Sequence, residues 1–266
     1  MSLLQLVTAD FDIGTFSKHA RSYYDKGIVQ LVNFLSSASS AFHQVHMTIF
    51  TDHPWPAFQV SGKSKPEKFV EVINISRDAL PNSEIARRYT GSRCSPKMSK
   101  RPVGLNRRGM LGVLNTIWLN KVHLMVRSMH KKPHVSNVIW IDSGFRKYRH
   151  QLSDALQAGS NLNAEGSSSS FYITPRKNPK KDVLFGYRRC AQLFLPSLRA
   201  GVIFASRAAV NHLEKEFERS LRHHIQHHYD YECPCFDEEA IMARSFACSQ
   251  SCCSTRLVMC NVSSII

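Results

Sequence analysis

The chain lacks several features that would assign it to a class at once. It has no run of about 18 apolar residues, so the sequence predicts no helix that spans a membrane. It has no glycine-rich phosphate loop, no dinucleotide-binding glycine fingerprint and no nucleophile elbow. These absences remove the usual signals of P-loop enzymes, Rossmann dehydrogenases and α/β-hydrolases. No charged segment followed by an apolar one lies near Met1, so we expect a cytoplasmic protein.

Acidic residues are few relative to basic ones. The 266 residues include 35 Lys and Arg against 20 Asp and Glu, which gives a formal charge of +15. Such an excess attracts polyanions, including nucleic acid and phosphorylated small molecules. The basic residues are dense only in Arg87–Arg108 and Arg176–Arg189, and a spread excess favours a nucleic-acid surface less than one continuous patch does. A non-enzymatic protein that binds nucleic acid or another polyanion is therefore kept as an alternative hypothesis. A basic surface that serves no dedicated partner is the other interpretation.

Metal-binding patterns are weak in this sequence. Six of the eight cysteines fall between Cys233 and Cys260, but they lack the paired spacing of a zinc ribbon. His223, His224, His227 and His228 have the i, i+4 spacing of ligands on a helix, without the glutamate of a zinc-protease motif. A polar helix face is the favoured interpretation of these histidines.

Hydrophobic periodicity predicts strands that alternate with helices. The predicted strands are Leu3–Ile13, Val45–Thr51, Phe58–Val60, Phe69–Ile75, Val138–Ile141 and Gly201–Ala205. The predicted helices run from about Ser17 to Leu35, from Leu111 to Met129, from Ala208 to His228 and from Phe236 to Phe246. This alternation indicates a single α/β domain over 1–247 with a mixed, mainly parallel sheet flanked by helices. We expect loops at Ser92–Arg108 and in the flexible region 158–182, and a cysteine-rich tail of uncertain structure at 248–266.

Asp142 is the first candidate site residue. It directly follows Val138–Ile141, a run that is apolar on both faces and therefore suits a central strand. A carboxylate is costly in mid-strand but can face a cleft at the end of one, where ligands bind in open α/β sheets. Ser143 and Gly144 follow, and the glycine would let a ligand approach the backbone. The alternative is that Asp142 only caps the next segment through backbone amides.

Three segments together resemble a known family. They are Leu6–Gly14, which contains Phe-Asp-Ile-Gly, the pair Asn120–Lys121 inside the long helix, and Val138–Phe145, which contains Trp-Ile-Asp-Ser-Gly. This set is similar to the HtrL/YibB (WlaTC-like) family, whose members are regarded as glycosyltransferases of the GT-A type. The resemblance extends from about Leu6 to Met242 and is weak in the region 150–190.

The resemblance implies a nucleotide-sugar donor and a glycan or other hydroxyl acceptor. The diphosphate would lie near Asp142, with Ser143 and Gly144 beside it. Asp10 or Asp12 would bind the nucleoside, since the two share one face of the first strand. Lys121 would reach a phosphate as a point charge; alternatively its stem packs and its ammonium extends to water.

A divalent metal is a further implication of the resemblance. Many GT-A enzymes hold Mn²⁺ or Mg²⁺ with an Asp-x-Asp motif, and such cations bridge carboxylate and phosphate oxygens. Here Asp142 is the candidate ligand, but Gly144 stands where the second Asp would be. Asp237 or Glu238 could supply another ligand or the general base; alternatively they only complement a helix dipole. A relative that has kept the fold and lost catalysis is the remaining alternative.

Overall fold

The computed structural model describes residues 3–11, 21–38, 45–53, 69–90, 105–143, 145–164, 170–175, 198–228, 242, 245 and 256–258. Its strands are β1 (Leu3–Asp10), β2 (Val45–Thr51), β3 (Val70–Asn74), β4 (Val135–Ile141), β5 (Ser170–Pro175), β6 (Leu198–Ser206) and β7 (Arg256–Val258). Its α-helices are α1 (Arg21–Ala38), α2 (Ser83–Thr90), α3 (Leu105–His130), α4 (Phe145–Ala164) and α5 (Arg207–His228). A single turn of 3-10 helix covers Arg77–Ala79.

The strands form one seven-stranded sheet in the order β3-β2-β1-β4-β6-β5-β7. The first four strands in this order are parallel, β6 runs antiparallel to both of its neighbours, and β7 is parallel to β5. The expected mixed, mainly parallel sheet with flanking helices is thereby confirmed. Because parallel strands end at the same edge, the residues that follow β1, β2, β3 and β4 lie along one border of the sheet, here called the carboxyl edge.

Alternation along the central strands divides the core between two faces. Val7 of β1 and Trp140 of β4 lie opposite each other and pack with the apolar side chains of α3 and α5. Leu6 and Ile139 also lie opposite each other and pack on the other face, with α1 and α4. The run that is apolar on both sides in the sequence is therefore covered on both sides in the fold, as expected for a central parallel strand.

The long helix differs from its prediction in extent and in burial. It begins at Leu105, so the last four residues of the predicted loop Ser92–Arg108 are helical. Val122, Met125 and Met129 of the predicted stripe are buried, but so are Leu119 and Leu124 beside them. The helix is covered on more than one side because it lies between the sheet and the helices α2 and α5.

The prediction of a flexible loop at 158–182 is wrong for two stretches of that region. Helix α4 extends to Ala164 through glycine, serine and asparagine residues, and β5 occupies Ser170–Pro175. Composition alone predicted a loop, because these residues have low helix propensity. Leu152 and Leu156 anchor α4 in the core, and this packing outweighs the unfavourable propensity of its last turns.

The other local predictions are partly covered by the described residues. The strands Val45–Thr51 and Gly201–Ala205 and the helix Ala208–His228 are confirmed, the last two within slightly longer elements. Helix α2 was not predicted. Met242 and Ser245, from the predicted helix Phe236–Phe246, are helical and buried, while Phe58–Val60 lies outside the described residues.

Among the helices that the structure describes, none combines the length and the apolar character needed to cross a bilayer.

Arg207, the first residue of α5, connects three elements at the edge of the sheet opposite the carboxyl edge. Its Nε donates to the carbonyl of Val135 at 2.9 Å, and one terminal nitrogen donates to the carbonyls of Met129 at 3.1 Å and Lys132 at 2.6 Å. These carbonyls belong to the end of α3, the turn after it and the start of β4. A positive group there gives these carbonyls additional, charge-assisted hydrogen bonds and complements the dipole of the helix that ends beside it.

We expect Arg207→Ala to lower the free energy of unfolding by about 3 kcal/mol, because it removes charge-assisted hydrogen bonds to three carbonyls. Arg207→Lys should recover only part of the loss, since an ammonium cannot reproduce the planar fork. Urea denaturation measures both. Arg219→Ala is the control: its side chain is 76% exposed, and its effect should stay within about 0.5 kcal/mol. Equal losses at the two arginines would contradict this role.

His46, near the start of β2, lies in a charged group with Glu71 and Lys132. The Glu71 carboxylate is 3.2 Å from the Lys132 ammonium. Burial lowers the pKa of the His46 imidazole below its ordinary 6.5, and the Lys132 charge lowers it further, while Glu71 acts in the opposite direction. Since the folded pKa lies below the unfolded one, this histidine contributes stability above about pH 6.5. That contribution is lost as the pH falls towards the folded pKa.

NMR titration of the His46 ring should therefore give a midpoint below 6.5, and Lys132→Met should raise that midpoint by removing the nearby positive charge. Glu71→Gln should lower it. In parallel, His46→Gln should lose less stability than the wild type between about pH 7.5 and pH 5.5. A midpoint unmoved by Lys132→Met would disprove the electrostatic part of this explanation.

Candidate functional site

The carboxyl edge carries two groups of charged side chains. The first, here called the ion-pair cluster, consists of Lys121, Trp140 and Asp142. The second, here called the histidine cluster, consists of Asp10, Asp52, His53 and Arg77. The two clusters belong to neighbouring strands, since β1 pairs with both β2 and β4.

The ion-pair cluster is built around one oxygen of Asp142. Lys121 Nζ lies 3.0 Å from Asp142 Oδ1, and Trp140 Nε1 donates a 2.8 Å hydrogen bond to the same oxygen. The Lys121 ammonium also lies 5.9 Å from the centroid of the Trp140 ring, within cation–π range. Two positively polarised donors therefore fix the carboxylate from the side of the core.

Burial within this cluster is strongly asymmetric. The Lys121 side chain is 1% exposed and that of Asp142 is 22% exposed, while Trp140 is fully buried. The ammonium thus lies behind the carboxylate, and Asp142 is the part that faces outward. No residue that the structure describes binds its second oxygen, Oδ2, which is the side open to a ligand.

Backbone contacts fix the loop that carries Asp142. Its N–H donates to the carbonyl of Gly201 on β6 at 2.9 Å. On the other side, the Ser143 carbonyl lies so close to Gly27 of α1 that any β-carbon at position 27 would collide with it. A glycine is needed at this helix position because the helix and the loop meet backbone to backbone.

The helix that carries Lys121 is held by a buried polar network. Asn120 Oδ1 accepts the backbone N–H of Asn82 at 3.1 Å, and the Asn82 amide donates to the Leu119 carbonyl and, at 2.7 Å, to Glu218 of α5. Asn120 and Asn82 are both nearly inaccessible to solvent. Buried polar groups with good partners fix a single arrangement, and here they fix the register of α3 and thus the position of Lys121.

The histidine cluster forms directly after β2. The Thr51 hydroxyl accepts the His53 N–H at 3.3 Å, a local turn that redirects the chain. The ring of His53 then lies between two carboxylates, with Nδ1 3.2 Å from Asp52 Oδ1 and Nε2 3.6 Å from Asp10 Oδ2. Arg77 approaches Asp52 Oδ2 at 2.6 Å. Carboxylates therefore alternate with a histidine and an arginine along the edge, and Asp10 is only 6% exposed.

Asp10 and Asp142 project towards different faces of the sheet. Asp142 comes two residues after Trp140 and so points to the same face, that of α3. Asp10 comes four residues after Leu6 and so points to the opposite face, that of α1 and α4. Strand register places Val7 opposite Trp140, so Asp10 and Asp142 follow at neighbouring positions along the edge. A ligand spread across the edge could contact both, but the carboxylates do not converge on one point.

A divalent metal does not fit the described donor set. Asp142 Oδ1 is already bound by an ammonium and an indole, and Asp10 faces the other way. Among the residues that the structure describes, no group of three His, Cys, Asp or Glu side chains is arranged to hold a metal ion. Mn²⁺ and Mg²⁺ require several oxygen ligands, so one partly engaged carboxylate is a poor site.

The predicted site residues are placed as follows. Asp142 and Lys121 are brought together, and Ser143 and Asp10 lie on the same edge. The Lys121 ammonium does not extend to water, so the snorkelling alternative is wrong. Asp142 is held by side chains rather than by backbone amides alone. The other four predicted residues lie outside the described part of the chain: Asp12, Gly144, Asp237 and Glu238.

Four residues of the site were not identified from the sequence. His53 and Asp52 were treated only as the end of a strand, Arg77 was not considered, and Trp140 was treated as core. Trp140 could have been found, because it precedes Asp142 by two residues and so shares its face of the strand. The position of Arg77 depends on the fold beyond β3, which the sequence pattern did not show.

Comparison with known proteins adds no assignment. No protein-family model matches this chain, and no curated protein matches it. The resemblance to the HtrL/YibB family therefore stays a prediction.

The ion pair should contribute little net stability. Removing one partner of a buried pair leaves a poorly solvated charge, whereas replacing both partners is often neutral. We expect Asp142→Asn to cost about 2–4 kcal/mol, and Lys121→Met to cost less, because water reaches a carboxylate that is 22% exposed. Lys121→Met/Asp142→Asn should be within about 1 kcal/mol of the wild type, since the asparagine oxygen can still accept from Trp140. Guanidinium denaturation of all four proteins measures this cycle, and additive losses would contradict it.

Proposed function

We propose that this protein is a glycosyltransferase with a GT-A-like fold that moves a sugar from a nucleotide-sugar donor to a hydroxyl acceptor. The proposal is supported first by the architecture. Ligands of open α/β sheets bind beyond the carboxyl ends of parallel strands, and that edge carries both charged clusters of this chain. A donor that spans two neighbouring strands suits an edge with two separate polar groups.

The observation that carries the proposal is the buried ammonium of Lys121 behind Asp142. A lysine that is 1% exposed has lost nearly all of its hydration, and ion pairing rarely repays that cost in full. Charged groups held at such cost concentrate at functional sites, where they fix a reactive or binding group in place. Here the group that they fix is the outward-facing carboxylate at the end of the central strand.

Asp10 and Asp142 bind different parts of the donor. Asp10, with His53 beside it, offers hydrogen-bond acceptors for the nucleoside, and Asp142 binds the part of the donor near the reacting sugar. In the reaction, the acceptor oxygen forms a bond to the anomeric carbon as the bond from that carbon to the terminal phosphate oxygen breaks. The bonding electrons leave with the nucleoside diphosphate, and the acceptor proton passes to a base, for which Asp237 and Glu238 are the sequence candidates.

A panel of nucleoside diphosphates and nucleotide sugars tests the proposal by thermal shift and calorimetry. One nucleotide should stabilise the wild type, by about 2.7 kcal/mol at a hundred times its dissociation constant. Asp10→Asn and Lys121→Met/Asp142→Asn should weaken binding at least tenfold. Asp154→Asn, an exposed carboxylate on α4, is the matched control and should bind as the wild type does. Sugar transfer is then measured as release of the nucleoside diphosphate in the presence of a hydroxyl acceptor.

Two results would contradict the proposal. If no nucleotide in the panel binds, the donor site is wrong. If nucleotides bind but Asp10→Asn and the paired variant bind as tightly as the wild type, binding occurs elsewhere on the chain. Binding to RNA or DNA that collapses steeply with salt, without nucleotide-sugar binding, would favour a polyanion-binding protein instead.

A further inference from the structure

Asp142 has its counter-ion built into the fold. We propose that this carboxylate works without a divalent cation, because the Lys121 ammonium occupies the position of its counter-charge. The inference deepens the proposed function, on which it rests for the identity of the ligand. The occupancy of the site by a cation can nevertheless be tested separately from donor binding.

The oxygen atoms of Asp142 leave little room for a cation. Oδ1 accepts both the indole N–H of Trp140 at 2.8 Å and the ammonium of Lys121 at 3.0 Å. A cation that bound the carboxylate through both oxygens would have to displace both donors from a nearly dry environment. Only Oδ2 is open, and one oxygen from one carboxylate is far fewer ligands than Mg²⁺ or Mn²⁺ takes.

The charge of Lys121 also opposes the binding of a cation at Asp142. The ammonium is 1% exposed, so little water screens it from a cation that approaches Asp142. Like charges at that separation repel, and the carboxylate attracts a cation less because its own charge is already balanced. A metal is useful where it joins a carboxylate to an anionic phosphate, and here the lysine has removed the carboxylate repulsion that a metal would otherwise offset.

A second carboxylate that could bind a metal together with Asp142 is missing from the motif after β4. The sequence has Gly144 where a second Asp would stand, and Asp10 on the neighbouring strand alternates to the other face of the sheet. Asp10 also lies beside the imidazole of His53 rather than beside Asp142. The described carboxylates Asp10 and Asp142 are thus each engaged by a side chain of the protein itself.

A changed role for both residues follows. Lys121 holds and neutralises Asp142 from behind and is a positioning residue, whereas the expectation from the sequence was direct contact with a phosphate. Asp142, with Oδ2 directed outward, accepts hydrogen bonds from hydroxyl groups of the ligand rather than coordinating a metal.

Paramagnetic broadening by Mn²⁺ tests the inference at the site itself. The Trp140 indole N–H binds Asp142 directly, so a Mn²⁺ ion on that carboxylate would broaden the Trp140 indole signal in a ¹⁵N-correlated NMR spectrum. The backbone N–H of Arg207, at the opposite edge of the sheet, serves as the internal reference. We expect the Trp140 signal to stay as sharp as that of Arg207 when Mn²⁺ is added in excess. Selective broadening of Trp140 would overturn the inference.

Nucleotide binding supplies the second measurement. The tightest nucleotide from the panel is titrated by calorimetry in EDTA and in Mn²⁺, with the wild type and with Lys121→Met/Asp142→Asn. We expect dissociation constants within about threefold of each other in the two buffers for the wild type. If Mn²⁺ lowers the dissociation constant by a similar factor in the wild type and in the paired variant, the inference is also supported, because the cation then acts away from Asp142. If Mn²⁺ lowers the dissociation constant of the wild type tenfold or more and has no such effect on the paired variant, the inference is overturned.

The two proposals fail in distinguishable ways. If no nucleotide binds in either buffer, the glycosyltransferase proposal falls, while the Trp140 signal still decides whether Asp142 holds a cation. If nucleotides bind only with Mn²⁺ and through Asp142, the transferase proposal stands and the metal-independent site is wrong. Should the paired variant not fold, the NMR measurement needs only the wild type.

Discussion

The pairing of one buried ammonium with one carboxylate at the end of the central strand governs the arrangement of this molecule. Lys121 belongs to α3 and Asp142 to the loop after β4, so their contact fixes the helix against the carboxyl edge of the sheet. The polar network of Asn82, Asn120 and Glu218 sets the register of the same helix from the other side. At 1% exposure, the Lys121 ammonium could not stay charged without partners that offset its lost hydration.

The two clusters at the carboxyl edge differ in the side chains that lie beside their carboxylates. In the ion-pair cluster the Lys121 ammonium lies behind the carboxylate of Asp142, and both are fixed by contact with the buried indole of Trp140. In the histidine cluster Asp10 lies beside the ring of His53, and Asp52 and Arg77 follow farther along the edge.

The sequence was most informative where burial is two-sided or periodic. Val138–Ile141 predicted a central strand and Asp142 a site at its end, because an apolar run that stops at a carboxylate has few other interpretations. It was least informative where long-range packing outweighs composition, as in the last turns of α4. The role of Lys121 could not be read from the sequence, since a lysine among apolar neighbours is compatible with packing, snorkelling or pairing until α3 is placed on the sheet.

The direction of the ion pair decides what the edge can bind. Because the ammonium is at the back and the carboxylate at the front, an incoming ligand meets the negative end of a neutral pair. Such an end favours hydroxyl and N–H donors over phosphate oxygens, so the charge needed by a leaving diphosphate must come from other basic groups of a chain with a formal charge of +15. A sugar or ribose hydroxyl, not the diphosphate itself, is therefore the part of a nucleotide sugar that Asp142 is built to recognise.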